Sequence, residues 1–203
     1  MVQQNRSVEE LIRNALEHHR AGRLHESKSI YEQALEISPA HPDALNLAGV
    51  VALQIGDPER ALRLIQQATE IRPDNPGFQA NLGQALLALR RVEDAHAAFQ
   101  RAAALDPRAP QFAVAAASCL AMRGDLVQAE RNLRAVTQRQ PGYALAWYNL
   151  ANAVQEQGRP QEAIELYQRA IELEPGHVDA HNNLGRALHG LGRFEEAEAA
   201  YRH

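Results

Sequence analysis

The chain has 203 residues, of which 45% are hydrophobic, and its formal net charge at pH 7 is −4. This apolar content excludes a disordered chain, and the nearly balanced charge gives no electrostatic reason to expect a nucleic-acid partner. No apolar run approaches the roughly 18 residues of a membrane span, and the N-terminus lacks the apolar segment of a secretory signal. Cys119 is the only cysteine, so no intrachain disulfide can form. We therefore expect a cytoplasmic protein without nucleic-acid or membrane partners.

Helix-start signals begin at the N-terminus and recur along the chain. Ser7 and Glu10 have the spacing of a capping box in front of Leu11, which predicts the start of the first helix. An aspartate at the N-cap position, or a proline in a first helical turn, marks further helix starts, because both suit the free N–H groups there. Residues with these roles are Asp57, Pro58, Asp125 and Pro160.

A period of 34 residues runs through the whole chain. It is carried by prolines at Pro39, Pro73, Pro107, Pro141 and Pro175. Twelve residues before each proline stands a small residue: Ser27, Ala61, Ala95, Ala129 or Ala163. Turn glycines recur at the same interval, at Gly22, Gly56, Gly124, Gly158 and Gly192, while Arg90 takes this place in the third repeat. Such a period is the mark of a repeat architecture.

The fifth repeat shows that each period contains two helices. Trp147, Leu150 and Val154 are three or four residues apart, which is the spacing of one helical stripe. Gly158 interrupts the pattern, and a second stripe then runs from Ala163 to the proline that ends it. We therefore expect twelve helices, two per repeat, and no β-sheet.

The segment AWYNLANAVQEQGRPQEAIELYQRAIELEP resembles the tetratricopeptide repeat, a helix–turn–helix motif of 34 residues. The match rests on Trp147, Leu150, Ala151, Gly158, Ala163, Tyr167, Ala170 and Pro175. The resemblance divides the chain into units 8–41, 42–75, 76–109, 110–143, 144–177 and a partial unit 178–203. It implies an all-α fold, a right-handed α-solenoid formed by a single array over residues 1–203.

The resemblance also implies a concave groove, lined by the first helix of each repeat, as the surface that binds a partner. Asparagine recurs at the sixth place of three repeats, and an amide can both donate to and accept from a peptide backbone. These side chains lie outside the alanine-rich packing stripe, so we expect them to matter little for folding. The expected peptide-binding residues are Asn81, Gln84, Tyr148, Asn149, Asn152, Asn182, Asn183 and Arg186. Some family members clamp a C-terminal carboxylate with lysines and asparagines, but here Lys28 is the only lysine.

No group of side chains forms a convincing catalytic or metal site. His177 and His181 are four residues apart, yet the ligand spacing of a structural zinc site is missing. Cys119 falls on the inward stripe of the fourth repeat, where a small buried residue is expected rather than a nucleophile. We expect no cofactor, no metal and no enzymatic activity from these residues.

Two functions are compatible with the sequence. The first is a non-catalytic scaffold that binds an extended peptide or a partner helix. The second is the substrate-recognition arm of a longer enzyme, because HPDALNLAGVVALQIGD and AHNNLGRALHGLGRFEEAEAAYR are similar to the N-terminal arrays of bacterial O-linked N-acetylglucosamine transferase-like proteins and of repeat-bearing sulfotransferases. The sixth repeat stops short of a full period, which favours a longer parent chain.

Overall fold

The structure of the protein is a computed structural model that describes residues 7–202. Within these residues the chain forms twelve α-helices and no β-strand. The first six are α1 (Val8–Arg20), α2 (Leu24–Ile37), α3 (Pro42–Gln54), α4 (Pro58–Ile71), α5 (Pro76–Ala88) and α6 (Val92–Leu105). The other six are α7 (Pro110–Met122), α8 (Leu126–Arg139), α9 (Ala144–Glu156), α10 (Pro160–Leu173), α11 (Val178–Gly190) and α12 (Phe194–Tyr201).

The predicted helix pairs are confirmed, since each repeat holds two helices and its first helix begins where the period places it. The predicted caps are present as well. Ser7 and Glu10 form a complete capping box, and the Asp57 side chain accepts a hydrogen bond from the Arg60 N–H. Asp125 caps α8 in the same way. Side-chain caps therefore mark the starts of α1, α4 and α8.

The chain divides into two compact units, Met1–Asp106 and Pro107–His203. In the first unit, successive helices from α1 to α6 pack against one another, and α3 also contacts α1 and α5. In the second unit successive helices from α7 to α12 also pack against one another, and α9 contacts both α7 and α11. The first helices of successive repeats within a unit therefore lie side by side and share one face.

The two helices of a repeat come close together where a small residue faces a large one. In the third repeat, a Cβ atom placed on Gly83 of α5 would lie 2.7 Å from the Cζ atom of Phe99 on α6. Phe99 is 1% exposed, so its ring fills the space that a side chain at position 83 would need. Ala163 and Ala170, two small residues of α10, are both fully buried, which suits a close approach of helices.

The turn between the two helices of a repeat requires a residue with positive φ. Five repeats place glycine there, with φ between 73° and 82°. Arg90 takes this place in the third repeat with φ 60°, and it is the one non-glycine residue with positive φ in residues 7–202. A side chain in this left-handed region costs about 1–2 kcal/mol, because Cβ approaches the following carbonyl oxygen.

We expect Arg90→Gly to raise the free energy of unfolding by about 0.5–1 kcal/mol, since glycine relieves this strain but has more entropy to lose on folding. The matched reverse change, Gly56→Arg, should lower it by about 1 kcal/mol. No atom lies within 4 Å of a Cβ placed on Gly56, so the change in stability at this position reports backbone strain and not a steric clash. Urea unfolding followed by circular dichroism measures both changes. Equal stability of the three proteins would contradict the account.

Glu130 of α8 is the centre of a charged network in the second unit. Its carboxylate accepts hydrogen bonds from Arg134 at 2.8 Å, from Arg159 at 2.9 Å and from Gln157 at 2.7 Å. Arg134 also donates to Glu162 at 2.5 Å, so the network joins α8 to α10. Burial by itself raises the pKa of Glu130, but the three hydrogen bonds outweigh burial and bring that pKa to about 2.

This network should make the stability of the second unit depend on pH in the acid range. The pKa of Glu130 is lowered from its ordinary value of 4.5, so its contribution is complete above pH 4.5 and is lost as the pH falls toward about 2. Glu130→Gln should therefore lower Tm at pH 7 by about 2–6 °C and make Tm less dependent on pH below 4.5. Thermal melts at several pH values test this, with the exposed Glu165→Gln as control. The same acid slope in the wild type and in Glu130→Gln would refute it.

Candidate functional site

Six of the predicted site residues lie on two neighbouring helices of the second unit. Helix α9 carries Tyr148, Asn149 and Asn152, and α11 carries Asn182, Asn183 and Arg186. The remaining two, Asn81 and Gln84, lie on α5 in the first unit. Because α9 and α11 are in contact, the six residues of the second unit lie on adjoining helices, and we call them the α9–α11 face.

Asn183 is the centre of the hydrogen bonding between α9 and α11. Its Nδ2 donates to the Oδ1 of Asn152 at 2.9 Å and to the hydroxyl of Tyr148 at 3.2 Å. Tyr167 of α10, which is 0% exposed, donates its hydroxyl proton to the same Oδ1 of Asn152 at 2.6 Å. Both N–H groups of Asn183 are thus engaged within the protein. Its Oδ1 has no partner among the described residues and is open to a ligand donor.

The other two asparagines at the sixth place also reach the preceding repeat. Asn149 accepts a hydrogen bond from the Ser118 hydroxyl of α7 at 3.2 Å. Asn81 donates to the Oδ1 of Asn46 on α3 at 2.9 Å. Each asparagine therefore joins the first helix of its own repeat to that of the repeat before. The expectation that these side chains matter little for folding needs correction, because their partners lie within the protein.

His177 and His181, which are four residues apart, both form hydrogen bonds with the backbone around the start of α11. The Nδ1 of His177 accepts the N–H of Ala180 at 3.3 Å and so caps α11, while its ring stacks on Tyr148 with centroids 4.6 Å apart. His181 is bonded through Nε2 to the carbonyl oxygen of Pro175 at 3.0 Å. Within residues 7–202 no group of three or more His, Cys, Asp or Glu side chains is arranged to hold a metal ion.

The exposed members of the prediction are Gln84, Asn182 and Arg186, and no side-chain hydrogen bond or ion pair engages them in the described part of the chain. Beside the α9–α11 face lies a cleft of about 410 Å³, within the size range of ligand sites. Its lining residues are Ser118, Ala121, Met122, Leu133, Asn149, Asn152, Ala153 and Glu156. We call it the α7–α9 cleft. Met122 and Glu156, which both stand thirteenth in their repeats, line this cleft but are not among the expected peptide-binding residues.

Cys119 is fully buried, and burial raises the pKa of its thiol to about 11. The expectation of a small buried residue is confirmed, and a neutral thiol is a poor nucleophile. Between residues 7 and 202, no helix combines the length and the apolar composition needed to cross a membrane.

Comparison with known families decides what kind of repeat this is. Two family models, both described as tetratricopeptide repeat, match the chain. One matches residues 18–74 and 52–119, and the other matches residues 128–173 and 148–203. The chain belongs to the tetratricopeptide repeat family. No curated protein matches it significantly.

Solved tetratricopeptide repeat structures share its fold. YrrB, described as a tetratricopeptide repeat protein with an unusual peptide-binding site, is 26% identical, with a TM-score of 0.69 over 84% of this chain and 88% of its own. TTC0263, a thermophilic protein from Thermus thermophilus, is 23% identical, with a TM-score of 0.70 over 90% and 99%. PilW, described as a widely conserved type IV pilus biogenesis factor, is 21% identical, with a TM-score of 0.85 over 95% and 90%. None of these bears on the resemblance to transferase arrays, which stays a prediction.

Two fully buried tyrosines occupy the same place in the second helix of their repeats, but only one of them has a hydrogen-bond partner. Tyr167 donates to Asn152, as described above. Tyr31 is also 0% exposed, yet no group in the structure accepts from its hydroxyl, because the place of Asn152 is taken by Leu16 in the first repeat. Burial raises the pKa of Tyr31 to about 12, with the positive charge of Arg20 acting in the opposite direction.

The two tyrosines give a matched test of the hydrogen bond that supports the site. We expect Tyr167→Phe to lower the free energy of unfolding by about 0.5–1.5 kcal/mol, because a buried bond is lost. Tyr31→Phe should leave stability unchanged or raise it by up to about 1 kcal/mol, because it removes a buried hydroxyl without a partner. Chemical denaturation of both variants checks the difference. The account fails if the two substitutions have the same effect.

Proposed function

We propose that the chain is a non-catalytic scaffold whose α9–α11 face binds an extended segment of a partner protein through its backbone. The carrying observation is the connected set of amides and hydroxyls on that face, in which the Oδ1 of Asn183 remains open. An extended peptide presents N–H and C=O groups at regular intervals, and asparagine side chains can pair with both. Membership of the tetratricopeptide repeat family supports a role in protein interaction, and YrrB, one of its members, has a peptide-binding site.

Five of the six residues of the α9–α11 face have distinct parts in this proposal. Asn183 accepts a backbone N–H, and Asn182, which is exposed, pairs with a backbone carbonyl or N–H. Tyr148 and Asn152 hold Asn183 in place. Arg186 supplies a positive charge to the rim, which suits an acidic group of the partner.

Asn81 and Gln84 present the same chemistry on α5, and we assign them the corresponding role in the first unit. A substrate-recognition arm of a longer glycosyltransferase or sulfotransferase would use these faces in the same manner. No observation in the structure favours that alternative over the scaffold.

The proposal is tested with random linear peptides displayed as a library. Peptides that the wild type selects should bind Asn182→Ala and Asn183→Ala about 2- to 12-fold more weakly, which corresponds to one lost hydrogen bond of about 0.5–1.5 kcal/mol. Gln161→Ala, an exposed amide on α10, is the matched control and should leave the Kd unchanged. Calorimetric titration gives the Kd values, and a thermal melt of each variant separates lost binding from lost folding.

Backbone recognition has its own signature in the peptide. Methylating single backbone nitrogens of a selected peptide should abolish binding at particular positions, whereas alanine substitution should change the Kd little at most positions. If no peptide is selected, or if folded Asn182→Ala and Asn183→Ala bind like the wild type, the proposed site is wrong.

A further inference from the structure

We infer that the α7–α9 cleft receives a lysine or arginine side chain of the bound segment, so that the partner is a peptide with a basic residue at this point. The inference rests on the proposed function, because the adjoining α9–α11 face must hold the peptide backbone. It adds a requirement on the partner's sequence that backbone pairing alone does not impose.

The charge of the cleft comes from Glu156, the last residue of α9 and the one charged residue among those that line it in the described chain. The acidic groups at the centre of the α8–α10 network are already paired. Glu130 and Glu162 are held by Arg134 and Arg159. Glu156 is exposed and has no cationic partner among residues 7–202. Arg186, the cation of the neighbouring face, does not line the cleft. An unpaired carboxylate beside a peptide-binding face favours a cation from the partner.

The walls of the cleft suit the aliphatic part of a long basic side chain. Ala121 and Met122 of α7 supply apolar surface. Met122 is 56% exposed, which leaves a large apolar side chain open to solvent at the mouth of the cleft. Lysine and arginine bury their methylene stems on such surfaces while the charged end stays hydrated, and methionine adapts its shape to the stem.

Two asparagines line the same cleft as the carboxylate. The Oδ1 of Asn149 accepts one hydrogen bond, from Ser118, and keeps a second lone pair. The Oδ1 of Asn152 already accepts from Tyr167 and Asn183, so it adds partial negative charge rather than a free site. Glu156 is therefore the acceptor for the charged end, and Asn149, about two helical turns away on α9, keeps an acceptor for another donor of the segment.

The experiment compares two pools of linear peptides that are identical except at one central position, which is lysine in one pool and norleucine in the other. Norleucine keeps the aliphatic stem and lacks the charge. The lysine pool should bind the wild type about 2- to 10-fold more tightly, the range expected for an exposed ion pair helped by a hydrogen bond. This preference should shrink as ionic strength rises from about 0.05 to about 0.5 M.

Three variants locate the preference in the cleft. Glu156→Gln should abolish it, whereas Glu165→Gln, an exposed carboxylate of α10 outside the cleft, should retain it. Ala121→Leu narrows the cleft without changing its charge, so it should weaken binding of both pools. Thermal melts establish that each variant is folded. Because Glu156→Gln removes the charge of the cleft and Ala121→Leu reduces its space, the result does not depend on one variant.

The outcomes separate this inference from the proposed function. Equal binding of the two pools to the wild type, or an unchanged preference in Glu156→Gln, overturns the basic-residue pocket and leaves backbone binding standing. Loss of the preference in both Glu156→Gln and Glu165→Gln would assign it to net charge and also overturn the pocket. If neither pool binds the wild type, the proposed function itself fails.

Discussion

The close approach of the two helices in each repeat is the constraint on which the rest of the structure depends. In the first repeat the Ser27 hydroxyl donates to the backbone carbonyl of Ala15 at 2.9 Å. A side chain as short as serine can reach that carbonyl only where the two helices lie close together. In the second repeat a Cβ on Gly49 would lie 2.5 Å from the Cγ1 atom of Ile65. The large residue of the second helix thus rests on the backbone of the first. This contact fixes the rotation of the first helix, and with it the face that is left for partners.

The second helices of successive repeats show how the geometry persists while the sequence changes. Glu32 of α2 pairs with Arg60 of α4 in the first unit. At the equivalent places of the second unit the charges are reversed, and Arg134 of α8 pairs with Glu162 of α10. A Coulomb interaction depends on the product of the two charges, so exchanging them preserves the attraction. A search for one fixed residue at either place would miss this link, because these two junctions share the ion pair and not the residue types.

The helices could be predicted from the sequence because their signals are local, but the site could be predicted only in part. The period assigned Asn149, Asn152 and Asn183 to the first-helix face, and the structure joins Asn183 to Asn152 by a hydrogen bond, whereas Asn149 is bonded to Ser118 of α7. The bond from Asn183 to Asn152 joins residues 31 positions apart, and it depends on the distance between two helix axes and on side-chain rotamers. The α7–α9 cleft has the same origin, since Glu156 and Met122 meet there only because α7 and α9 pack side by side. Periodicity gives the face of a helix, whereas contacts between helices decide which groups on it remain free.

The structural role of the asparagines strengthens the case for binding. An amide that must be ordered when a ligand arrives loses side-chain entropy at that moment, which lowers its contribution to affinity. Asn183 is already ordered, because Tyr148 and Asn152 hold its N–H groups and Asn152 is anchored to the buried Tyr167. Its Oδ1 therefore points in a fixed direction before any partner binds. The hydrogen bonds that make Asn183 a link between repeats are the same ones that make its free oxygen a preorganised acceptor.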